Sequence, residues 1–465
     1  MQKESSKVTY VPAPPPGILK KPELYALSIG QVIGAGVITL VGPAMALTGY
    51  SAWLAYGAAI IWGFLMIMPV VWVTSTLRLG GGYYSMLAGL ANEKAAGMYA
   101  VAFLWQTMSI SLFGVFLWQT MSISLFGVSL GMYANSLWPQ LNPRIVGIVF
   151  LTLFYVINLG GVDIMAKAQK VMTWMLIAAL LMFIIVGMTK LDTPVLQISS
   201  PDFIKHGGKG FIAAIFLFVY STNGYSLTMN YGRDAHNAKR DIPWAILMSV
   251  PTLVILYCGV AIVAGGILPL EMVENQPLTL VARTALSPIL FVVFMVGGPI
   301  MALMTTMNSS LAYNCVPIAQ ACTDGWLPRS LAKKNKRGSY YRILTIVYLI
   351  GLIPLLLNFS VTTITNNIML INSSLSFLYA FAYYQLPKRY PEAWKKSRLH
   401  MPDRLYYVMV TISVIAYTCV FINSCLTLTP LITIANLIII GGCFAFGFIR
   451  SKSPYVHIES SVWDD

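Results

Sequence analysis

Along the chain, apolar residues gather into long runs separated by short polar or charged stretches. Most runs reach about 20 residues, the length an α-helix needs to cross a hydrocarbon core. Twelve runs are present, near residues 24–49, 52–77, 98–136, 143–160, 168–190, 210–231, 243–267, 287–318, 342–358, 362–386, 404–426 and 430–449. The pattern predicts an all-α polytopic membrane protein with 12 transmembrane helices. The first run carries Gly34-Ala35-Gly36 at its middle, and each glycine weakens a helix by roughly 1 kcal/mol relative to alanine. Inside a bilayer, broken backbone is tolerated only where it lines a cavity or is buried in protein, because its N–H and C=O groups need partners. A second apolar run is interrupted half a chain later by Phe218-Val219-Tyr220-Ser221-Thr222-Asn223-Gly224-Tyr225. Small residues also serve close helix packing, but two broken helices at corresponding positions of two halves mark a midplane binding site.

The third run holds residues 103–115, FLWQTMSISLFGV, followed at once by the identical thirteen residues 116–128. Together they would make a helix nearly twice as long as the hydrocarbon is thick. Splitting the run into two spans inverts everything downstream and moves most basic residues to the outer side, against the positive-inside rule. One copy is therefore expected in the span, with the other extending or bulging it; a repeat architecture needs at least three copies. Gln106, Ser109 and Ser111 of the first copy, or Gln119, Ser122 and Ser124 of the second, face the substrate path.

Composition agrees with a membrane protein: 57% of residues are hydrophobic and only 10% charged, whereas soluble domains carry about 25% charge. The net charge of +14 is read as topology, not as nucleic-acid binding. With the N-terminus inside, all of the 30 Lys and Arg except Arg144, Lys190, Lys205, Lys209 and Arg283 fall on the inner side, so both termini are expected to be cytoplasmic. Residues 1–20 are polar and proline-rich, read as a disordered cytoplasmic tail without a cleaved signal peptide. Six cysteines without a CxxC pair, and four scattered histidines, suggest neither a disulfide framework nor a metal site.

Several short motifs then carry a family resemblance. Ile33-Gly34-Ala35-Gly36-Val37-Ile38, Gly80-Gly81-Gly82-Tyr83-Tyr84, Gly224-Tyr225, Asn237-Ala238-Lys239-Arg240-Asp241-Ile242-Pro243 and Ala321-Cys322-Thr323-Asp324-Gly325-Trp326-Leu327-Pro328 occur in that order. The chain resembles the amino acid–polyamine–organocation transporters, which have the leucine-transporter fold. The resemblance implies a 5+5 inverted repeat with helices 1 and 6 broken, plus two peripheral helices. The first repeat would occupy residues 21–190 and the second 191–386, with two further spans over 387–449 and a cytoplasmic tail at 450–465. It also implies substrate-binding roles for Ile33, Gly34, Ala35 and Gly36, and for Phe218, Tyr220, Ser221, Asn223 and Tyr225. The acidic pair usual after the sixth span reads Arg233-Asp234 here, implying a rewired gate. The fifth-span lysine of proton-coupled or sodium-independent relatives aligns near Leu176.

No ionisable residue occupies the middle of any span, which removes the default proton carrier. Thr305, Thr306 and Ser309 offer oxygens to a hard cation, or bond back to helix backbone instead. The expected function is secondary transport of amino acids in the plasma membrane by alternating access, through exchange or facilitated diffusion. Neutral substrates are favoured, because a buried extra charge would need a partner. A proton- or cation-coupled symporter of amino acids or amines is the alternative, and a non-transporting sensor or partner subunit the alternative of another class. No enzymatic activity or cofactor is expected.

Overall fold

A computed structural model describes residues 8–34, 36–108, 127, 130–131, 133–135, 137–138, 140–357 and 361–464. Helix α1 (Lys21–Val32) starts with Pro22 in its first turn and a capping contact between the Lys20 N–H and Glu23 Oε2 at 3.2 Å. It stops at Ile33, whose backbone is extended. The helix resumes as α2 (Gly36–Thr39) and α3 (Val41–Thr48). Leu40 N–H to Gly36 O and Ala44 N–H to Leu40 O, both 3.0 Å, join these into one rod.

Helix α4 (Ala52–Thr76) runs into the Gly80-Gly81-Gly82 loop, and α5 (Tyr83–Met86) and α6 (Glu93–Met108) follow. Helices α7 (Pro143–Leu159) and α8 (Val162–Met188) complete the first half of the chain. The second interrupted run forms α9 (Gly207–Val219), a 3-10 turn Tyr220–Thr222, an extended Asn223 and a 3-10 segment Tyr225–Tyr231. Gly224 sits between them at φ +130°, a left-handed conformation that side chains rarely adopt. Then come α10 (Ala238–Ile267), α11 (Leu270–Val273), α12 (Leu278–Ala285) and α13 (Pro288–Met295). A π-helical turn at Val296–Ile300, which contains Pro299, leads into α14 (Met301–Thr323). Helices α15 (Tyr341–Leu357), α16 (Val361–Arg389), α17 (Pro391–Lys396), α18 (Asp403–Thr427) and α19 (Pro430–Arg450) complete the bundle.

Among the described residues, six helical stretches are long and apolar enough to cross a membrane: Val41–Thr76, Val162–Met188, Gly207–Tyr231, Ala238–Ile267, Pro288–Thr323 and Asp403–Thr427. Shorter apolar helices lie at Pro143–Leu159, Tyr341–Leu352 and Asn436–Arg450. Helix α1 is held between α8, α10 and α14, and α4 lies along α10 and α9. Glu23 anchors α1 to α8 through a 2.6 Å ion pair with Lys170. The duplicated stretch falls mostly outside the described residues, so neither the Gln106, Ser109, Ser111 set nor the Gln119, Ser122, Ser124 set is placed.

Short strands near both ends of the described chain pair with one another and with the segment after α4. Strand β1 (Val8–Tyr10) pairs in parallel with β3 (Ile458–Ser460), and β2 (Arg78–Leu79) pairs antiparallel with β4 (Val462–Trp463). Proline-rich backbone makes no internal hydrogen bonds, so its carbonyls stay free for other donors. Arg78 uses them, donating Nη1 to Pro14 O at 2.8 Å and Nη2 to Pro15 O at 3.0 Å. Further on, the Gly17 and Leu19 N–H groups donate to Ala235 O and Asp234 O at 3.1 and 2.9 Å.

Candidate functional site

The two helix breaks meet face to face. A Cβ added to Gly36 would lie 2.4 Å from Ser221 Cβ, and one added to Gly224 would lie 3.1 Å from Gln31 O. Only glycine allows the first approach, since apolar atoms in contact sit about 3.5–4.0 Å apart. Ile33 is fully buried, as is Phe218, whose ring stacks on Tyr56 of α4 at 3.7 Å between centroids. Ser221 accepts from the Tyr56 hydroxyl at 2.8 Å and donates to Phe218 O at 2.9 Å. Tyr220 and Asn223 are half-buried, and Asn223 Nδ2 donates to Val219 O at 2.9 Å. Gly34 is buried, and Ala35 lies outside the described residues. Tyr225 is buried, and its hydroxyl has no protein partner among the described residues.

A broken helix leaves carbonyls without an intrahelical donor, and hydroxyls from two other helices supply donors here. Tyr257 of α10 points its O–H at both Val32 O and Ser221 O, each 3.2 Å away, so one proton bridges the two breaks. Thr306 of α14 reaches Gly30 O at 3.1 Å and Ile33 O at 3.4 Å, and also back-bonds to Ala302 O at 2.8 Å. Thr305 donates to Ala302 O at 2.9 Å. Ser309 bonds the Gln31 side-chain carbonyl and also its own helix at Thr305 O. Of the expected residues, Ile33, Gly36, Ser221, Thr306 and Ser309 thus meet at one junction through these contacts. The structure adds four that the sequence did not single out: Tyr56, Tyr257, Gln31 and, beside Gly30, Gln169.

Gln169 and Thr173 of α8 press on Gly30, where an added Cβ would come within 2.2 Å of Gln169 Nε2 and 2.8 Å of Thr173 Oγ1. Thr173 donates to Ala26 O at 3.0 Å, and Gln169 accepts from Asn308 Nδ2 at 2.8 Å. Asn158 of α7 donates to Asn308 Oδ1 at 3.0 Å. Beyond the Glu23–Lys170 ion pair at its start, α1 is held on this side by neutral amides and hydroxyls, and Leu176 is fully buried. A spacing signal for Gln169 exists in retrospect: it lies about two helical turns before Leu176, and so on the same face of α8.

At the end of the bundle carrying the termini, the motif residues bind one another. Asp324, directly after α14, is buried and accepts from the Tyr84 hydroxyl at 2.5 Å and from Gln320 Nε2 at 3.1 Å. Trp326 Nε1 donates to the Tyr84 oxygen at 2.8 Å. Burial pushes the Asp324 carboxyl up to about 7, against the lowering pull of the hydrogen bonds from Tyr84, the Glu459 backbone and Gln320.

The sequence profile of the amino acid permease family matches residues 19–452. The chain belongs to that family. As a permease it also belongs to the amino acid–polyamine–organocation superfamily, and it is a membrane transporter, not an enzyme. It is similar to the general amino acid permease AGP3 of Saccharomyces cerevisiae, with 21% identity over 357 residues covering 73% of this chain and 61% of that protein. It is also similar to the methylthioribose transporter of Bacillus subtilis, with 24% identity covering 67% and 68% of the two chains. The branched-chain amino acid permease BcaP of the same organism is 20% identical over 68% of this permease and 69% of its own length.

Proposed function

We propose that this permease carries neutral amino acids by alternating access, as an exchanger or facilitator, at the junction of the two broken helices. The contact of Gly36 with Ser221 supports the site, because it sets two interrupted backbones against each other at one place. The substrate carboxylate would bind N–H groups of the helix that restarts at Gly36, at the positive end of its dipole. The ammonium would donate to the second lone pairs of carbonyls that Tyr257 and Thr306 already bridge. Every side chain named at the junction is uncharged, which favours a zwitterion without a charged side chain.

Exchange without an ion is favoured by the α1 environment. Thr305, Thr306 and Ser309 spend their hydroxyl protons on backbone and on Gln31, and Gln169, Asn308 and Thr173 complete a neutral hold on α1. A symporter coupled to protons or sodium is the second reading, in which these three hydroxyls would turn their oxygens to a cation. Each of the twelve apolar runs coincides with, or begins in, a helix. That agreement supports twelve spans, read as a 5+5 inverted repeat plus two, and the clustering of basic residues on one side of them supports cytoplasmic termini in a plasma-membrane protein.

The decisive assay is uptake into proteoliposomes of a labelled panel of amino acids, with methylthioribose included, with and without internal substrate and across sodium and pH gradients. Uptake that needs internal substrate and ignores both gradients is the expected result. Accumulation driven by either gradient alone would refute the exchange mechanism. An absence of uptake, with binding intact, would favour a sensor.

A further inference from the structure

We propose that residues 458–464 form an autoinhibitory strap, which ties together the segments leading to both broken helices and must detach before this face of the permease opens. The proposal rests on the transport reading above. The strap makes its contacts in sequence order. Glu459 N–H donates to Asp324 Oδ1 at 3.2 Å, holding the strap to the end of α14. Ser461 O accepts from Gly80 N–H at 2.7 Å, and Ser461 Oγ lies 2.5 Å from Ser85 Oγ. Trp463 then lies over two guanidinium groups, Arg78 at 5.6 Å and Arg233 at 5.9 Å, and donates its indole N–H to Val11 O at 2.8 Å. Lys239 Nζ reaches Asp464 O at 3.0 Å.

These partners belong to the parts that must separate in a rocking transporter. Val11 precedes the Gly17 to Leu19 backbone that leads into α1, whereas Arg233 directly follows the second broken run. Arg78 follows α4, which carries the Tyr56 that binds Ser221. Arg78 itself gathers all three, bonding Pro14 O, Pro15 O, Gly232 O and Arg233 O. The loop is shaped to the strap: a Cβ on Gly80 would lie 2.7 Å from the Trp463 ring. Val462 and Trp463 are buried, so the strap seals this end as well as tying it. Its two ladders are only three and two residue pairs long. Strands so short are marginal alone, and local opening of such units lies at the low end of the stability range. The strap therefore holds the closed form but can be released without unfolding the bundle.

The test compares the permease with its variants in proteoliposomes. Removing residues 458–465 should raise exchange turnover by up to about tenfold, the gain expected if the strap leaves the opening-competent form near a tenth of the population. Trp463→Ala, which keeps the backbone pairing, should give a smaller increase. In a Ser85→Cys, Ser461→Cys pair, an oxidant should stop exchange and a reductant restore it, with each single variant insensitive. Failure of that disulfide to form, or continued exchange while it is intact, overturns the strap. So does unchanged or lowered turnover in both the truncated form and Trp463→Ala. A readout independent of transport is maleimide labelling at Ser85→Cys, which should become faster on truncation by up to about tenfold. If labelling responds while no variant exchanges substrate, the transport reading fails and the strap stands; if labelling does not respond, the strap falls.

Discussion

Gly36→Ala tests the junction most directly. The added methyl would sit 2.4 Å from Ser221 Cβ and 3.3 Å from Ser221 Cα, against an ordinary separation of about 3.5–4.0 Å. The two breaks must therefore part by about 1.1–1.6 Å. Neither can yield cheaply. Ser221 is fixed by Tyr56 and Phe218 O, and Val32 O and Ser221 O share the Tyr257 hydroxyl. Overpacking of this kind costs about 1–3 kcal/mol, which corresponds to roughly 5- to 150-fold weaker substrate binding if the displacement falls on the site. The assay is equilibrium binding of a labelled amino acid to the purified permease, with the melting temperature as a check on folding. Ser221→Gly removes the opposing Cβ, so the double variant should bind more tightly than the product of the single effects allows, by a coupling of about 1 kcal/mol or more. Binding within twofold of the unaltered permease for Gly36→Ala, or single effects that simply multiply, would refute the face-to-face reading.

Three further outcomes are expected. Tyr257→Phe keeps the ring beside Tyr56 but takes the donor from two buried carbonyls, a loss of about 1–3 kcal/mol, and should depress both the melting temperature and exchange turnover; wild-type values for both would show that the bridge is dispensable. Asp324→Asn probes pH. An acid raised from 3.8 to about 7 holds its proton more tightly in the folded state, so its contribution to stability falls as pH rises from about 4 to about 7 and is flat beyond; the variant should lose this slope, and a melting curve with the wild-type slope would exclude Asp324 as its source. Deleting residues 116–128 should raise uptake or melting temperature by restoring a single copy in the third run, and no change in either would show the duplication to be neutral.

The sequence made both breaks legible because glycines and a polar cluster inside apolar runs have no other cheap place in a bilayer. Gly36 and Ser221 were therefore named before their contact was visible. Tyr56, Tyr257 and Gln169 were not, since a single tyrosine or amide in an apolar helix leaves no periodic trace and its target is fixed only by packing. Thr305, Thr306 and Ser309 were found by their oxygens, yet the partners of those oxygens depend on how α14 meets α1. The terminal pairing was hidden for a different reason: strands of two or three residues are too short to show alternation, and the proline-rich stretch reads as disorder until Arg78 is placed beneath it. Five of the six long helical stretches overlap a single run with ends shifted by a few residues, and Val41–Thr76 joins parts of the first two, whereas the duplicated third run defeats any assignment of register.

Because Val8–Tyr10 and residues 458–463 are built into the same face, the choice of handle for purifying or imaging this permease is itself an experimental variable. A tag behind Asp465 begins next to Trp463 and would pry at its seat on Arg78 and Arg233. One placed ahead of Val8 would push on the partner of Ile458. Rates measured on such fusions would describe the handle as much as the protein. The exposed turn at Gly338, where nothing lies within 4 Å of an added Cβ, offers an insertion point that leaves the paired segments Val8–Tyr10 and 458–463 undisturbed.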